Sequence, residues 1–386
     1  MRRRIYFLSA ARSDYDLISP VLLEAKKNAG LDVGVIACSA QLSPFHGLGV
    51  RQIEEDDVPI VARLETLYSS ESWPARSLSF SSLVDGLTRL LQQDRPDLLF
   101  VTGDREEHLA AAITANFMRL HVAHLHGGDR CIASEIDEVF RPAISKLSHF
   151  HFTATEGHRQ RLIRMGELPE QVWACGAPGL DRLRLTPDAP AASLEEKIGF
   201  RLDQPFLLLI QHSSPLMSRG REEEEMRLLL EATLKLNLPV LCGYPNHDPG
   251  NVGIRRAIDA VRATNPLLHV YHNLPRQEFV TLYRRCAAIV GNSSSLVLES
   301  SFLKVPAILV GPRQDEREIS TNVVRVGFDA GQIEEACRRA VFDTAYRAGL
   351  AATPSLYGDG HAAPRIAELL GTISLDPNLL LKTLPY

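Results

Sequence analysis

The chain has 386 residues, 45% of them hydrophobic and 23% charged, with 25 Gly and 23 Pro. That is the composition of a folded protein of about two domains, and it excludes disorder, collagen or coiled coil as the main architecture. A net charge of −5 excludes the basic surplus of a nucleic-acid binder but leaves room for an anionic small ligand held by local arginines. Behind the basic start, the apolar run Ile5–Leu8 is too short for a signal peptide or a membrane span. It reads as the first buried strand of a cytoplasmic protein. Further short apolar runs follow at Val33–Ala37, Leu98–Val101, Val122–Leu125 and Phe150–Phe152, then at Phe206–Ile210, Val240–Leu241, Ala288–Val290 and Ala307–Val310. Between the strands of the first half, helical periodicity predicts Leu17–Ala29, Leu83–Gln92, Leu109–Met118, Ile136–Leu147 and Glu156–Met165. In the second half it predicts Glu222–Lys235, Val252–Ala263, Gln277–Arg284, Leu296–Phe302 and Ile333–Val341, with a last helix from about Ala362 to Gly371. Continuous apolar strands alternating with helices mean parallel sheets covered on both faces. The pattern occurs twice, so an α/β chain of two Rossmann-like doubly wound lobes is expected, with the ligand at the carboxyl ends of the strands.

The turns carry the chemistry. Ser9-Ala10-Ala11-Arg12-Ser13-Asp14 follows the first strand and contains no glycine, which argues against a dinucleotide fingerprint. An arginine there suits a phosphoryl group, although a solvated loop arginine is the plainer account. Asp104, past the third run, stands at a strand end, where a carboxylate either faces a ligand or caps its helix. His126-Gly127-Gly128-Asp129 follows the fourth run, and its glycines would let backbone approach a ligand. Asp137 and Arg141 share a helix face at i and i+4, with Glu138 expected to point elsewhere. His212 follows Phe206–Ile210, and Gly291-Asn292-Ser293-Ser294-Ser295 precedes a helix in the manner of an anion cradle. Glu299 on that helix could accept ribose hydroxyls, and Arg313 at the next strand end could close over a diphosphate. The six cysteines lie far apart with no C-x-x-C pair, so neither a disulfide framework nor a structural zinc is expected.

Taken in order, these blocks resemble the hydrolysing nucleotide-sugar 2-epimerases, the UDP-N-acetylglucosamine 2-epimerase family of bacterial sialic and legionaminic acid synthesis. The resemblance rests on Arg12-Ser13-Asp14-Tyr15, Gly103-Asp104-Arg105, His124 through Asp129, Ile136-Asp137-Glu138 with Arg141, and Ala143 through His149. It continues through Gly176 to Asp181, Gly291-Asn292-Ser293-Ser294, Arg313-Gln314, and Tyr357 to Gly360 with Pro364-Arg365-Ile366. It implies a fold of the GT-B type, with a cleft between the lobes and a carboxyl-terminal helix returning to the first. The implied division is 1–177 for the sugar and acid/base side, 178–361 for the nucleotide diphosphate, and 362–386 for the returning helix and tail. Asp104 and Asp137 match acid/base carboxylates of the family, with Arg141 beside them. His126 falls where members carry Glu or His, and His212 matches a histidine near the phosphates. Arg12, Ser293, Ser294, Glu299 and Arg313 match nucleotide contacts, while Gln41, Gly127 and Gly128 fall on the sugar side. No cofactor and no metal are implied. The partners implied are a UDP- or GDP-linked sugar and further copies of the chain in a dimer or tetramer, with no nucleic acid and no membrane.

Three positions depart from the family pattern: Gln41 and Pro142 each replace a histidine, and Ser213 replaces a proline. The first two would make the sugar pocket less polar, favouring a hexose without a 6-hydroxyl, such as a 2,4-diacetamido-2,4,6-trideoxyhexose, while UDP-N-acetylglucosamine remains the default substrate that the resemblance implies. The chemistry implied is loss of the nucleoside diphosphate from carbon 1, then removal of the carbon 2 proton, then hydration of the glycal from the other face. A non-hydrolysing 2-epimerase, a GT-B glycosyltransferase and a non-catalytic nucleotide-sugar sensor are the rival readings. The first would carry a Val-Glu-Ala-Gly-Leu-Arg-type block at Leu125–Arg130, and the last would not retain both Asp104 and Asp137.

Overall fold

The computed structural model describes residues 2–68, 72–131, 136–214, 220–245 and 250–382. The last four residues of the expected tail, 383–386, lie outside them. The chain divides into two compact units: Met1–Asp129 with Ser134–Arg182 and Gly358–Tyr386, and Arg130–Ala133 with Leu183–Tyr357.

The first unit is built on seven parallel strands: β1 (Arg3–Ser9), β2 (Leu31–Cys38), β3 (Ile60–Leu64), β4 (Leu98–Thr102), β5 (His121–Leu125), β6 (Phe150–Thr153) and β7 (Val172–Ala174). Their order across the sheet is β3-β2-β1-β4-β5-β6-β7. Helices α1 (Arg12–Lys27), α2 (Val50–Glu55), α3 (Trp73–Gln93), α4 (Glu106–Phe117), α5 (Asp137–Leu147) and α6 (Glu156–Arg164) connect them. Successive strand residues face opposite sides, and both sides are covered. Ile5, Phe7, Leu98 and Phe100 pack under Ile18, Val21 and Leu22 of α1. Tyr6, Leu8, Leu99 and Val101 pack under Leu83 and Leu87 of α3 and Ala111 and Ala115 of α4.

Helix α7 (Pro178–Leu185) crosses the seam between the units, and α8 (Ala191–Ile198) opens the second. The second sheet consists of β8 (Leu207–Ile210), β9 (Val240–Gly243), β10 (Leu268–Tyr271), β11 (Ala288–Gly291), β12 (Ala307–Val310) and β13 (Val323–Val326). These six parallel strands run in the order β10-β9-β8-β11-β12-β13. Helices α9 (Glu222–Leu234), α10 (Asn251–Arg262), α11 (Arg276–Arg285), α12 (Ser295–Leu298), α13 (Ser300–Leu303), α14 (Ala330–Phe342) and α15 (Thr344–Leu350) surround it. The final helix, α16 (Ala362–Thr372), returns to the first unit and buries Ala363, Ile366 and Leu370 in the α1 face of its core. Among the described residues no helix is long and apolar enough to cross a membrane.

The expected doubly wound pattern is present twice, but it differs in several places: α3 begins at Trp73 rather than Leu83, and α2, α7, α8 and α15 are not among the expected helices. Four strands escaped the pattern reading: β3, β7, β10 and β13, which are the two edges of each sheet. Helix α1 starts at Arg12 rather than Leu17, so the Arg12-Ser13-Asp14 turn is its first turn. The expected helix Leu296–Phe302 is instead two single turns, α12 and α13, broken at Glu299.

Candidate active site

In each sheet the strand order reverses at one place: between β1 and β4 in the first and between β8 and β11 in the second. Doubly wound sheets open a crevice at the carboxyl ends of such strands because the connections leave to opposite sides. Arg12 and Asp104 follow β1 and β4, and His212 and Ser293 follow β8 and β11. Both groups of expected residues therefore stand at a switch point.

In the first unit Arg141 is the organising charge. Its side chain on α5 is only 4% exposed and ion-pairs through Nη2 with the Asp104 carboxylate. Its Nη1 donates to Glu138 Oε1 at 2.7 Å and to the Asp129 carbonyl at 2.9 Å. Burial works against the cation, but the Asp104, Asp129 and Glu138 carboxylates outweigh it and raise the pKa of Arg141. The expectation that Glu138 points away from Arg141 is thus corrected, since residues three apart are neighbours on a helix. Asp137 is the first residue of α5, partly buried, in a turn whose dipole favours an anion. It lies within the field of Arg76, whose guanidinium forks onto Glu106 at 2.9 and 2.8 Å.

Two buried histidines that sequence reasoning passed over hold these turns. His124 reaches the Gly103 carbonyl through Nε2 at 2.8 Å and Ser145 Oγ through Nδ1 at 3.1 Å. A carbonyl only accepts, so Nε2 carries the proton, and burial pushes the His124 pKa well down. The turn before Asp104 is thereby tied to the helix bearing Asp137 and Arg141. His108 accepts the Thr102 N–H at Nδ1 (3.1 Å), which leaves Nε2–H to face Asp14 Oδ2 at 3.3 Å. The same Asp14 oxygen accepts the N–H groups of Ala10 and Ala11 at 3.1 Å each. Burial acts to raise the Asp14 pKa, but His108 and Arg105 more than offset it, so Asp14 stays ionised. It anchors the turn that carries the exposed Arg12.

Packing requires glycine at both Gly127 and Gly128. A Cβ on Gly127 would lie 2.9 Å from Ser145 Oγ, and one on Gly128, whose φ is +80°, would lie 2.4 Å from the His158 carbonyl. His126 precedes them in the left-handed region at φ 66°, its N–H bonded to the Phe152 carbonyl at 3.0 Å. Gln41 sits in a 3-10 turn after β2, its N–H on the Ala10 carbonyl at 2.8 Å. Its side chain is 0% exposed, and neither carboxamide atom has a hydrogen-bond partner. Pro142, by contrast, is exposed.

In the second unit Asn292 joins three strand ends. Its N–H donates to the Ile210 carbonyl at 3.0 Å, and its side chain exchanges two bonds of 2.8 Å with the His212 main chain. Its carbonyl accepts Gln314 Nε2 at 3.0 Å and Arg313 Nη1 at 3.3 Å. Gly291 before it has φ +128°, and a Cβ there would lie 2.1 Å from the Ile210 carbonyl, so only glycine fits. Ser293 Oγ bonds Ser295 Oγ at 3.1 Å, Ser294 begins the single turn α12, and Glu299 stands at its break. With one turn following, little helix dipole is available, and the positive charge beside the cradle is that of Arg313. Among the described residues no group of three or more His, Cys, Asp or Glu gathers as a metal site.

Two doubly wound units with charged switch points are the fold of the nucleotide-sugar 2-epimerases. The structure superposes on UDP-GlcNAc 2-epimerase from Neisseria meningitidis bound to UDP-GlcNAc with a TM-score of 0.79, at 19% identity, covering 96% of this chain and 99% of that one. Residues 23–371 match the UDP-N-acetylglucosamine 2-epimerase family, and the chain belongs to it. It is 33% identical over 389 residues, the full length of both proteins, to UDP-N,N'-diacetylbacillosamine 2-epimerase (hydrolyzing) of Legionella pneumophila. Identity is 28% to GDP/UDP-N,N'-diacetylbacillosamine 2-epimerase (hydrolyzing) of Campylobacter jejuni, over 84% of each chain.

Proposed function

We propose that this enzyme is a hydrolysing nucleotide-sugar 2-epimerase that acts on a UDP-linked 2,4-diacetamido-2,4,6-trideoxyhexose in preference to UDP-N-acetylglucosamine. It releases UDP and the free sugar inverted at carbon 2, of the kind consumed in sialic- or legionaminic-type acid synthesis. The observation that carries the reading is Asp104 locked onto a buried Arg141, with Asp137 at the start of the same helix. The carbon 2 proton of an N-acetylhexosamine has no adjacent carbonyl and is barely acidic. Departure of the diphosphate from carbon 1 gives oxocarbenium character and acidifies it. Arg313, His212 and the hydroxyls of Ser293 and Ser294 serve the leaving diphosphate and Glu299 the ribose, with Arg12 as a further nucleotide contact. One of Asp104 and Asp137 takes the proton, the other supplies one to the glycal from the opposite face, and water adds at carbon 1. His126 and the Gly127-Gly128 turn lie between these carboxylates in sequence. The enzyme works in the cytoplasm as a homo-oligomer.

The sugar assignment draws on the substrates that the names of the two relatives print and on Gln41, which stands where the family pattern has a histidine. The test is incubation in D2O with UDP- and GDP-linked forms of both sugars. Free nucleoside diphosphate and a free inverted sugar carrying deuterium at carbon 2 are expected. A nucleotide-linked inverted product would mean a non-hydrolysing epimerase, and transfer to an acceptor a glycosyltransferase. Binding without turnover would mean a sensor. The trideoxy sugar should have the higher kcat/KM, and Gln41→His should move the ratio toward N-acetylglucosamine. A wild-type preference of about tenfold for UDP-N-acetylglucosamine refutes the sugar assignment.

A further inference from the structure

We infer that Asn292 is the positioning residue of the diphosphate site, acting by holding His212 in register with the Gly291–Ser295 turn; the inference rests on the function proposed above. The ladder between β8 and β11 ends at the pair Gly291 and Ile210. Beyond it the two loops diverge, and strand pairing no longer fixes their spacing. A primary amide presents one donor and one acceptor side by side, as a peptide does. The Asn292 side chain uses both: Oδ1 accepts the His212 N–H and Nδ2 donates to the His212 carbonyl, each at 2.8 Å. It thus continues the ladder past the strand end, with a side chain replacing the missing peptide. The residue is 2% exposed, so water does not compete for these bonds.

Its own peptide extends the control to a third loop. The Asn292 carbonyl takes Gln314 Nε2 at 3.0 Å and Arg313 Nη1 at 3.3 Å. His212, Ser293 with Ser294, and Arg313 arrive from the ends of three different strands, and Asn292 bonds to the first and third while adjoining the second. The nearest replacements lose this. Aspartate would keep the bond from the His212 N–H but set an anion against the His212 carbonyl and beside a diphosphate. Serine and alanine do not reach.

A positioning role differs from a merely structural one in depending on the group it positions. The experiment is a double-mutant cycle on the full chain, with Asn292→Ala, His212→Ala and both together, read as kcat/KM for nucleoside diphosphate release and as UDP affinity by calorimetry. Alone, Asn292→Ala should lower kcat/KM by about 30-fold or more; in the His212→Ala background it should cost no more than about threefold. Thermal stability should fall by a similar amount in both backgrounds. Equal fold-losses in both backgrounds overturn the inference. If the alanine variant does not fold, the Asn292→Asp variant, close to isosteric, takes its place in the cycle. Its added charge acts on the diphosphate in either background and cancels, so the same coupling decides. A wild type that neither binds UDP nor releases a nucleoside diphosphate fails the functional reading itself. An active wild type with multiplicative losses removes only the role of Asn292.

Discussion

A guanidinium taken out of water costs several kcal/mol unless its protons are met, and one left with a missing partner is worse than none. Arg141 has Asp104, Glu138 and the Asp129 carbonyl around it. The planar fork fixes the direction in which Asp104 points, which a lysine at this position would not do. Asp104→Asn and Asp137→Asn should each lower kcat by a factor of about 10² or more while leaving UDP affinity nearly unchanged, since neither belongs to the diphosphate side. Arg141→Lys should reproduce the Asp104 loss, because it frees the carboxylate without removing it. Single-turnover kinetics with glycal detection assigns the roles. A variant that releases diphosphate and accumulates the glycal has lost the group of the second step. Full activity in either asparagine variant would remove that residue from the mechanism.

At the scale of elements, the returning helix α16 hangs on one carboxylate. Asp181 in α7 is 2% exposed, and its two oxygens accept the N–H groups of Ala362 and Ala363 at 3.0 and 2.9 Å. These are donors that the first turn of a helix cannot satisfy internally, and the carboxylate also meets the positive end of the dipole. Asp181→Ala should cost about 2 kcal/mol or more in urea-unfolding experiments, since two buried donors are orphaned at once. Asp181→Asn should fall between, keeping one acceptor. A loss below about 0.5 kcal/mol would show the cap to be dispensable. The same scale explains what was legible in the sequence. Central strands such as β8 and β12 are buried at every position and read as continuous apolar runs. The four edge strands have one covered flank; β13 contains an exposed Arg325 and β3 is nowhere fully buried, so neither forms such a run. Asp104, Asp137, His212 and Arg313 were legible because each follows a readable strand or starts a readable helix. Asn292, His124 and Asp14 are only letters of motifs in the sequence, and His108 belongs to none of the blocks that carry the resemblance. Their work is to join strand ends far apart in sequence, and no local periodicity encodes that.

Across the whole molecule, titrating burial is unequally divided. In the first unit His121, His124, His149 and His151 all have pKa values lowered by burial, His149 to about 4 from an ordinary 6.5. His149 lies near His121, Lys382 and His151, so a proton there would meet like charge as well as a dry surrounding. Beside it, burial disfavours the Glu167 anion, but the hydrogen bond from His151 and the charges of Lys382 and Lys146 hold its pKa at about 2. Lys382 closes this cluster from the carboxyl-terminal tail, donating to Glu167 and to the Ser148 carbonyl at 2.5 Å each. The sign follows from proton counting. Between pH 6.5 and 4 the unfolded chain binds protons that folded His149 refuses, so stability is full above 6.5 and is lost as the pH falls. His149 alone accounts for about 3 kcal/mol across that window, and the other three histidines act in the same direction. Below 4.5 the Glu167 contribution goes too, fading as the pH falls toward 2. In the second unit burial also lowers the pKa of His269. With four such histidines and Glu167 in the first unit, acid should unfold that unit before the second. Trp173 belongs to the first unit, so in a Trp73→Phe background its fluorescence reports that unit separately, while far-UV circular dichroism reports both. Urea midpoints followed by tryptophan should drop between pH 7 and 4.5, with about half the ellipticity persisting beyond that transition, and His149→Gln should flatten the slope. Coincident transitions by both probes, or a midpoint independent of pH across this range, would refute the assignment of acid lability to the first unit.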